Sequence, residues 1–87
     1  MKHYYSTVDN IILTFGDIED KGYYEQIPIR FERANDNGFD FAEINIPQMK
    51  FTKLFGFSEE ELIDLKNYVS DNSSLIWDMA RENENHD

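Results

Sequence analysis

The chain has 87 residues and carries 18 Asp and Glu against 8 Lys and Arg, which gives a formal net charge of -10. This balance disfavours direct binding of DNA or RNA, because such binding depends on Lys and Arg neutralising phosphates. The absence of Cys from the sequence excludes disulfide scaffolds, thiolate metal sites and Cys nucleophiles.

The size and apolar content favour one folded domain. The chain is 40% hydrophobic and 15% aromatic, which suits a single modest core rather than an acidic disordered tail. We expect one domain over residues 1–87, mainly strands in 1–47 and mainly helical in 58–84, with a frayed tail at 85–87. The first ten residues lack the apolar run of a signal peptide, and no segment approaches the ~20 apolar residues of a membrane span. We therefore expect a cytoplasmic protein without a membrane partner.

Three segments in the first half alternate apolar and polar residues with the period of a strand: 11–15, 23–33 and 39–46. Residues 4–8 could add a fourth strand. The dipeptide Asn37-Gly38 predicts a tight hairpin between the second and third segments. The first half therefore predicts an antiparallel meander of three to four strands.

Two positions within these segments predict irregularities. Pro28 has no N–H to donate, so we expect its strand at a sheet edge or beside a bulge. In the third segment the apolar parity changes from Phe39 and Phe41 to Ala42 and Ile44. That change indicates a bulge near Phe41.

Residues 49–57 (MKFTKLFGF) concentrate apolar side chains between the strands and the helical region. As a connector, they would cap one end of the core. As an exposed aromatic patch, Met49, Phe51 and Phe55 would instead bind a partner, because Met and aromatic residues are enriched at interface cores. We favour the connector.

A helix is predicted to begin directly after Ser58. Ser58 and Glu61 have the spacing of a capping box, and Phe57 and Leu62 have that of a hydrophobic staple. The acidic run Glu59–Glu61 also lies where the helix dipole stabilises negative charge. All three signals indicate the same start.

The continuation of this helix has two interpretations. Apolar residues from Leu62 to Met79 recur at spacings of three and four, which fits one helix to about Asn83 with Asn72 as a polar insert. Ser70–Ser74 are five poor helix formers in a row, which favours two helices separated at that point. We expect the break.

Segregation of strands and helices predicts an α+β domain, with one or two C-terminal helices packed on one face of the meander. The core is predicted to contain the apolar residues of the strand segments and of the helical seam. These are Ile11, Leu13, Phe15, Ile27, Ile29, Phe31, Ile44, Ile46, Leu62, Leu65, Val69 and Ile76.

No catalytic, cofactor or metal site is predicted. The acidic run Asp17–Asp20 is interrupted by Ile18 and lacks the closing Glu of an EF-hand loop. His3 and His86 lie near the termini, without a Ser or Cys nucleophile motif beside them. We therefore expect a protein that is not an enzyme and needs no cofactor.

The candidate partner-binding surface lies in the C-terminal region, where nine acids and two bases follow from Ser58 onward. The natural complement is a protein partner with a basic surface, attracted by electrostatic steering. Trp77 beside Arg81 adds a candidate hot spot. The candidate partner-binding residues are Glu59, Glu60, Asp64, Asp71, Trp77, Asp78, Arg81 and Glu82.

These features predict a small acidic protein-interaction module. The stretch from Gly56 to Arg81 resembles the C-terminal helices of small bacterial and phage proteins, which implies an accessory protein of that kind. A homodimer through the open sheet edge or the helical seam is a companion expectation. The alternative function is a nucleic-acid mimic of the antirestriction or CRISPR-inhibitor type, which requires carboxylates along one continuous face. A small enzyme ranks third.

Overall fold

The computed structural model describes residues 1–85 as six antiparallel strands followed by one helix. These elements are β1 (His3–Val8), β2 (Ile11–Phe15), β3 (Glu19–Asp20), β4 (Glu25–Asn35), β5 (Gly38–Ile46), β6 (Lys50–Phe55) and α1 (Glu59–Glu84). The α+β class is confirmed, but the sheet has more strands than the three to four predicted. Most of the predicted 85–87 tail, including His86, lies outside the described residues.

The sheet has the order β1-β2-β4-β5-β6, and the short β3 pairs with the beginning of β4. Tight turns join its neighbours. Asp9 and Asn10 both have positive φ (52° and 66°), as a two-residue hairpin turn requires. The hairpin predicted at Asn37-Gly38 joins β4 to β5, with Asn35 opposite Gly38.

α1 covers one face of this sheet and runs antiparallel to β4. Its first turn contacts Arg33 near the end of β4, and Arg81 in its last turn contacts Glu25 at the start of β4. Ten of the twelve predicted core residues are buried between the two layers, and Ile11 and Leu62 pack partly buried against them. Ala42 and Ala80 complete the core. Within residues 1–85, no helix is long and apolar enough to cross a membrane.

Pro28 was predicted at a sheet edge or beside a bulge, and neither is found. β4 lies in the middle of the sheet, and its pairing with β5 is regular through Pro28–Asn45. On the other side of β4, β2 pairs with residues 29–32 and β3 with residues 25–26, which leaves a gap in the pairing at residues 27–28. Pro28, which has no N–H to donate, lies in this gap. The Pro28 carbonyl accepts a hydrogen bond from Gly16 N–H at 2.8 Å. A Cβ on Gly16 would lie 2.8 Å from Pro28 Cγ, so only glycine permits this approach.

The predicted bulge near Phe41 is also absent from the β4–β5 pairing, which is regular from Ile27–Ile46 to Asn35–Gly38. The parity of β5 does not change, because Asp40 points inward with Ala42 and is only 9% exposed. Phe41 belongs to the opposite face. The irregular positions lie in β1, between Tyr4 and Ser6, and where β5 meets β6.

Residues 49–57 are not simply a connector, since most of them form the edge strand β6. The segment pairs with the edge of β5 that β4 leaves free, so that Phe41–Phe55 and Glu43–Lys53 are cross-strand pairs. Pairing satisfies the backbone groups that a connector would leave to solvent.

The predicted break at Ser70–Ser74 is wrong, because α1 is continuous from Glu59 to Glu84. Five poor helix formers cost about 2–3 kcal/mol relative to alanine. Burial of Val69 and Ile76, which flank the segment, contributes about 1.5–3 kcal/mol each. Asn72 donates to the Tyr68 carbonyl (2.7 Å) and accepts from the Tyr5 hydroxyl (2.6 Å). Contacts with the sheet therefore outweigh local propensity.

Candidate interaction surface

The start of α1 is set by the predicted capping box. Glu61 N–H donates to Ser58 Oγ at 3.2 Å, and Ser58 N–H donates to Glu61 Oε1 at 2.9 Å. Phe57 and Leu62 both pack against the core on either side of this turn. The helix therefore begins at a defined residue, which fixes the direction of every side chain that follows.

A charged cluster ties this turn to the sheet. Arg33 donates to Glu61 and, through Nε, to Asp40 Oδ2 at 2.9 Å, while its guanidinium lies 4.6 Å from the Phe57 ring centroid. The hydrogen bond from Arg33, with that from Ser58 N–H, lowers the pKa of Glu61 to about 2. Gly56 (φ 87°) passes so close to Asp40 that a Cβ would clash with its carboxylate. The cluster fixes α1 over β4.

Five exposed carboxylates form one line along the outer side of α1, here called the acidic row. They are Glu60, Asp64, Asp71, Asp78 and Glu82. At 3.6 residues per turn their directions agree within about 40°. Within residues 1–85, none of the five takes part in an ion pair. Glu59 points about 100° away from the row and is not part of it.

The spacing of the charges along the acidic row can be compared with the spacing of phosphates along a DNA strand. From Glu60 to Glu82 the row extends about 33 Å, at ~1.5 Å per residue. It therefore carries one charge per roughly 8 Å on average, whereas one DNA strand carries one phosphate per ~3.4 Å of axis. Two exposed apolar side chains flank the row, Ile63 (60% exposed) and Leu75 (54% exposed). The surface combines a moderate negative field with apolar contact area.

Trp77 and Arg81 lie together, but the indole is not a free anchor. Arg81 Cζ lies 5.5 Å from the Trp77 ring centroid, and Arg81 Nη2 donates to Glu25 Oε1 at 2.6 Å. Trp77 is half-buried and packs against the core. The pair therefore joins the end of α1 to β4, beside the acidic row rather than in it.

The three residues of the candidate aromatic patch are divided between the two faces of the sheet. Met49 and Phe51 are half-buried against the core, on the α1 side. Phe55 is 62% exposed and stacks on Phe41, with ring centroids 5.8 Å apart, on the opposite face. Met49, Phe51 and Phe55 do not form one surface.

Sequence reasoning missed the apolar residues of the face opposite α1, Ile12 and Phe41 above all. The strict alternation of FDFAEINI would have revealed Phe41 if Asp40 had been allowed an inward position. Burying the Asp40 carboxylate costs free energy unless it has hydrogen-bond partners. Arg33 and Asn35 are those partners. They lie across the hairpin from Asp40, and Asn35 Nδ2 donates to Asp40 Oδ1 at 2.7 Å.

Within residues 1–85, no three His, Cys, Asp or Glu side chains are arranged to hold a metal ion. The His3 and Phe15 ring centroids are 5.2 Å apart, and His3 Nε2 lies 2.7 Å from Asp17 Oδ1. Bonds from His3 and from the N-terminal ammonium lower the pKa of Asp17. A cleft of about 290 Å³ lies between the β1–β2 hairpin and α1, with Asp64 and Tyr68 in its lining.

No family model matches this chain, and neither a curated protein nor a solved structure is significantly similar to it. Its function is therefore inferred from the geometry and charge of its surfaces.

Proposed function

We propose that the protein is a non-enzymatic interaction module, an accessory protein of bacterial or phage type acting in the cytoplasm. The acidic row on α1 binds a protein partner with a basic surface. One observation carries this proposal: five exposed carboxylates, without an ion-pair partner among residues 1–85, share one side of an uninterrupted helix that is anchored at both ends.

The row acts mainly on the rate and selectivity of association. Aligned like charges steer a basic partner towards α1, and each exposed ion pair formed on contact contributes about 0.2–1 kcal/mol. Ile63 and Leu75 supply the apolar contact that such pairs lack. Affinity therefore depends on salt, while the apolar contacts maintain the complex once it forms.

The test is charge reversal with a matched control. Glu60→Lys, Asp64→Lys and Asp71→Lys together reverse the first three charges of the row. Three other exposed acids are reversed in the control: Glu59→Lys, Asp36→Lys and Glu84→Lys. Both triple variants gain the same net charge, and each replaces one Glu in the first turn of α1.

The three immobilised proteins are exposed to extract from cells that carry the gene, and retained proteins are then titrated at low and high salt. A partner retained by the wild type and the control, but not by the row variant, supports the proposal. Its affinity for the wild type should fall at high salt. A partner that binds all three proteins equally would overturn the proposal.

Nucleic-acid mimicry is the second candidate, supported by the placement of five acids on one continuous face. The charge density of the row, less than half that of a DNA strand, ranks it below a general acidic module. The same experiment separates the two. Under mimicry the retained partner binds DNA or RNA, and nucleic acid competes with this protein for it. A partner bound equally well in excess nucleic acid excludes mimicry.

A further inference from the structure

The sheet face turned away from α1, here called the open face, has two aligned cross-strand rows. Both rows cross β2, β4, β5 and β6 in register. The first row consists of Ile12, Glu32, Phe41 and Phe55. The second consists of Thr14, Arg30, Glu43 and Lys53. Within residues 1–85 no helix covers these side chains.

The first row is apolar at both ends and remains accessible. Phe55 is 62% exposed and Ile12 is 42% exposed. Phe41 is half-buried between the Phe55 ring and the guanidinium of Arg30, 4.8 Å from its centroid. Exposed aromatic area beside a pre-positioned Arg is the composition of an interface centre.

The charges of the open face differ in sign from those of the rest of the molecule. Four bases and two acids lie on it: Lys2, Arg30, Lys50 and Lys53 with Glu32 and Glu43. Their formal sum is +2, and the Glu19–Lys21 pair at the margin adds nothing. Since the whole chain carries -10, the remaining surface carries -12. Two copies therefore repel each other much less through their open faces than through their α1 sides.

We infer that the open face is the dimerisation surface of this protein, and that it packs against the open face of a second copy. A twofold axis along the strands, between β4 and β5, would place Arg30 of each copy opposite Glu43 of the other. The same axis would place Phe55 opposite Ile12. Each contact occurs twice, as an isologous interface requires.

The dimensions fit such a dimer. Five strands about 4.8 Å apart, with lengths of about 17–36 Å at ~3.3 Å per residue, give a face of roughly 600 Å². That is the lower end of the ~600–1,000 Å² per partner that standard interfaces bury. Two packed sheets and two helices also place the α1 rows about 30 Å apart, well beyond the ~8 Å Debye length at physiological salt.

This surface differs from the sheet edge and from the helical seam. Edge pairing through β6 would join strands that carry Lys50 and Lys53, and lysine on an edge strand opposes such pairing. Glu43 lies on the interior strand β5, so a change there disturbs a face contact but not an edge contact. The dimer does not depend on the basic partner proposed above, and its test requires no partner.

The experiment measures self-association of the full chain by sedimentation velocity from low micromolar to near-millimolar concentration. Phe55→Ser should raise the dimer dissociation constant at least about tenfold, as expected for an interface anchor. Leu54→Ser, a comparably exposed residue of the same strand that pairs with the inward-facing Ala42, should leave it unchanged. Circular dichroism establishes that both variants are folded.

A charge exchange tests the geometry directly. Arg30 Nη1 donates to Glu43 Oε1 of its own chain at 2.7 Å, so each pair would face the same pair of the other copy. Glu43→Arg alone or Arg30→Glu alone sets like charges against each other at both contacts of the dimer. Each variant should therefore be monomeric, and circular dichroism establishes that it remains folded without the pair. Mixed together, they restore two attractive pairs and should form a heterodimer, seen by native mass spectrometry with one variant isotope-labelled. A monomeric wild type, an unaffected Phe55→Ser variant, or charge variants that dimerise alone as well as mixed would each overturn the inference.

Discussion

Among single residues, Glu61 connects the local start of α1 with its position over the sheet. It completes the capping box with Ser58 and receives the guanidinium of Arg33 from β4. The first role was predictable, because both residues lie within one turn of sequence. The second was not, because Arg33 precedes Glu61 by 28 residues and nothing local pairs them.

The ion pair of Glu61 should make stability depend on pH. Its folded pKa of about 2 lies below the ordinary 4.5, so this stabilisation is complete above pH 4.5 and is lost as pH falls towards 2. Glu61→Gln keeps a capping-box side chain but removes the charge. The free energy of unfolding of this variant should be lower by on the order of 1 kcal/mol at neutral pH. The loss is small because the Glu61 side chain is 35% exposed and solvent screens the ion pair.

Urea unfolding from neutral pH to about pH 3 measures this difference. The difference in the free energy of unfolding between wild type and Glu61→Gln should decrease as the pH falls. Glu60→Gln, one residue earlier and on the acidic row, is the control and should show little difference at any pH. A Glu61→Gln gap that is the same at both ends of the range would contradict the ion-pair assignment.

Among the elements, α1 depends on a polar contact with the edge strand β1. The Tyr5 hydroxyl donates to Asn72 Oδ1, and burial of Tyr5, with the nearby Tyr68, raises the pKa of its phenol. We expect Asn72→Ala to cost about 1–3 kcal/mol, because it leaves the Tyr5 hydroxyl without its partner. Tyr5→Phe added to it should cost less than the two single changes combined, since both partners are then gone.

Thermal and urea unfolding of the four proteins in this cycle give the coupling energy. A coupling of at least about 0.5 kcal/mol is expected for residues in contact. Strictly additive changes would mean that the Tyr5–Asn72 hydrogen bond does not stabilise α1 over β1.

The elements that the sequence predicts correctly are those whose signals lie within their own residues. The alternating strands 11–15 and 39–46 and the start of α1 have signals within their own residues, and these were correct. The continuity of α1 through Ser70–Ser74, the strand β6 and the central place of Pro28 are decided by neighbouring elements. Local propensity cannot include a partner strand, so it errs where tertiary packing outweighs it.

At the scale of the whole molecule, charge is distributed by layer. The helix layer presents the acidic row, and the opposite layer presents a face with a small positive sum. The total of -10 was evident from composition, but its division between two surfaces depends on the sheet register. If the open faces pair, the dimer exposes two acidic rows on opposite sides and can bind two basic partners.

The sheet and the helix share one core, so a substitution that leaves a cavity in that core should destabilise the whole molecule as a single unit. Phe31 is 1% exposed, in the middle strand beneath α1, and Leu65 meets it from the helix side at 7% exposure. Phe31→Ala or Leu65→Ala should cost about 2–5 kcal/mol. That is a large part of the ~5–15 kcal/mol typical of a domain.

Far-UV circular dichroism follows the loss of secondary structure during thermal unfolding, and Trp77 fluorescence follows the packing of α1 against the core. Their transitions should coincide in the wild type and shift together in both core variants, because Trp77 packs on the core that the sheet completes. Val8→Ala, in the edge strand β1 at 49% exposure, is the control and should shift the midpoint far less. Core variants that melt like the wild type would refute the shared core, and a fluorescence change preceding the loss of secondary structure would show that α1 undocks independently.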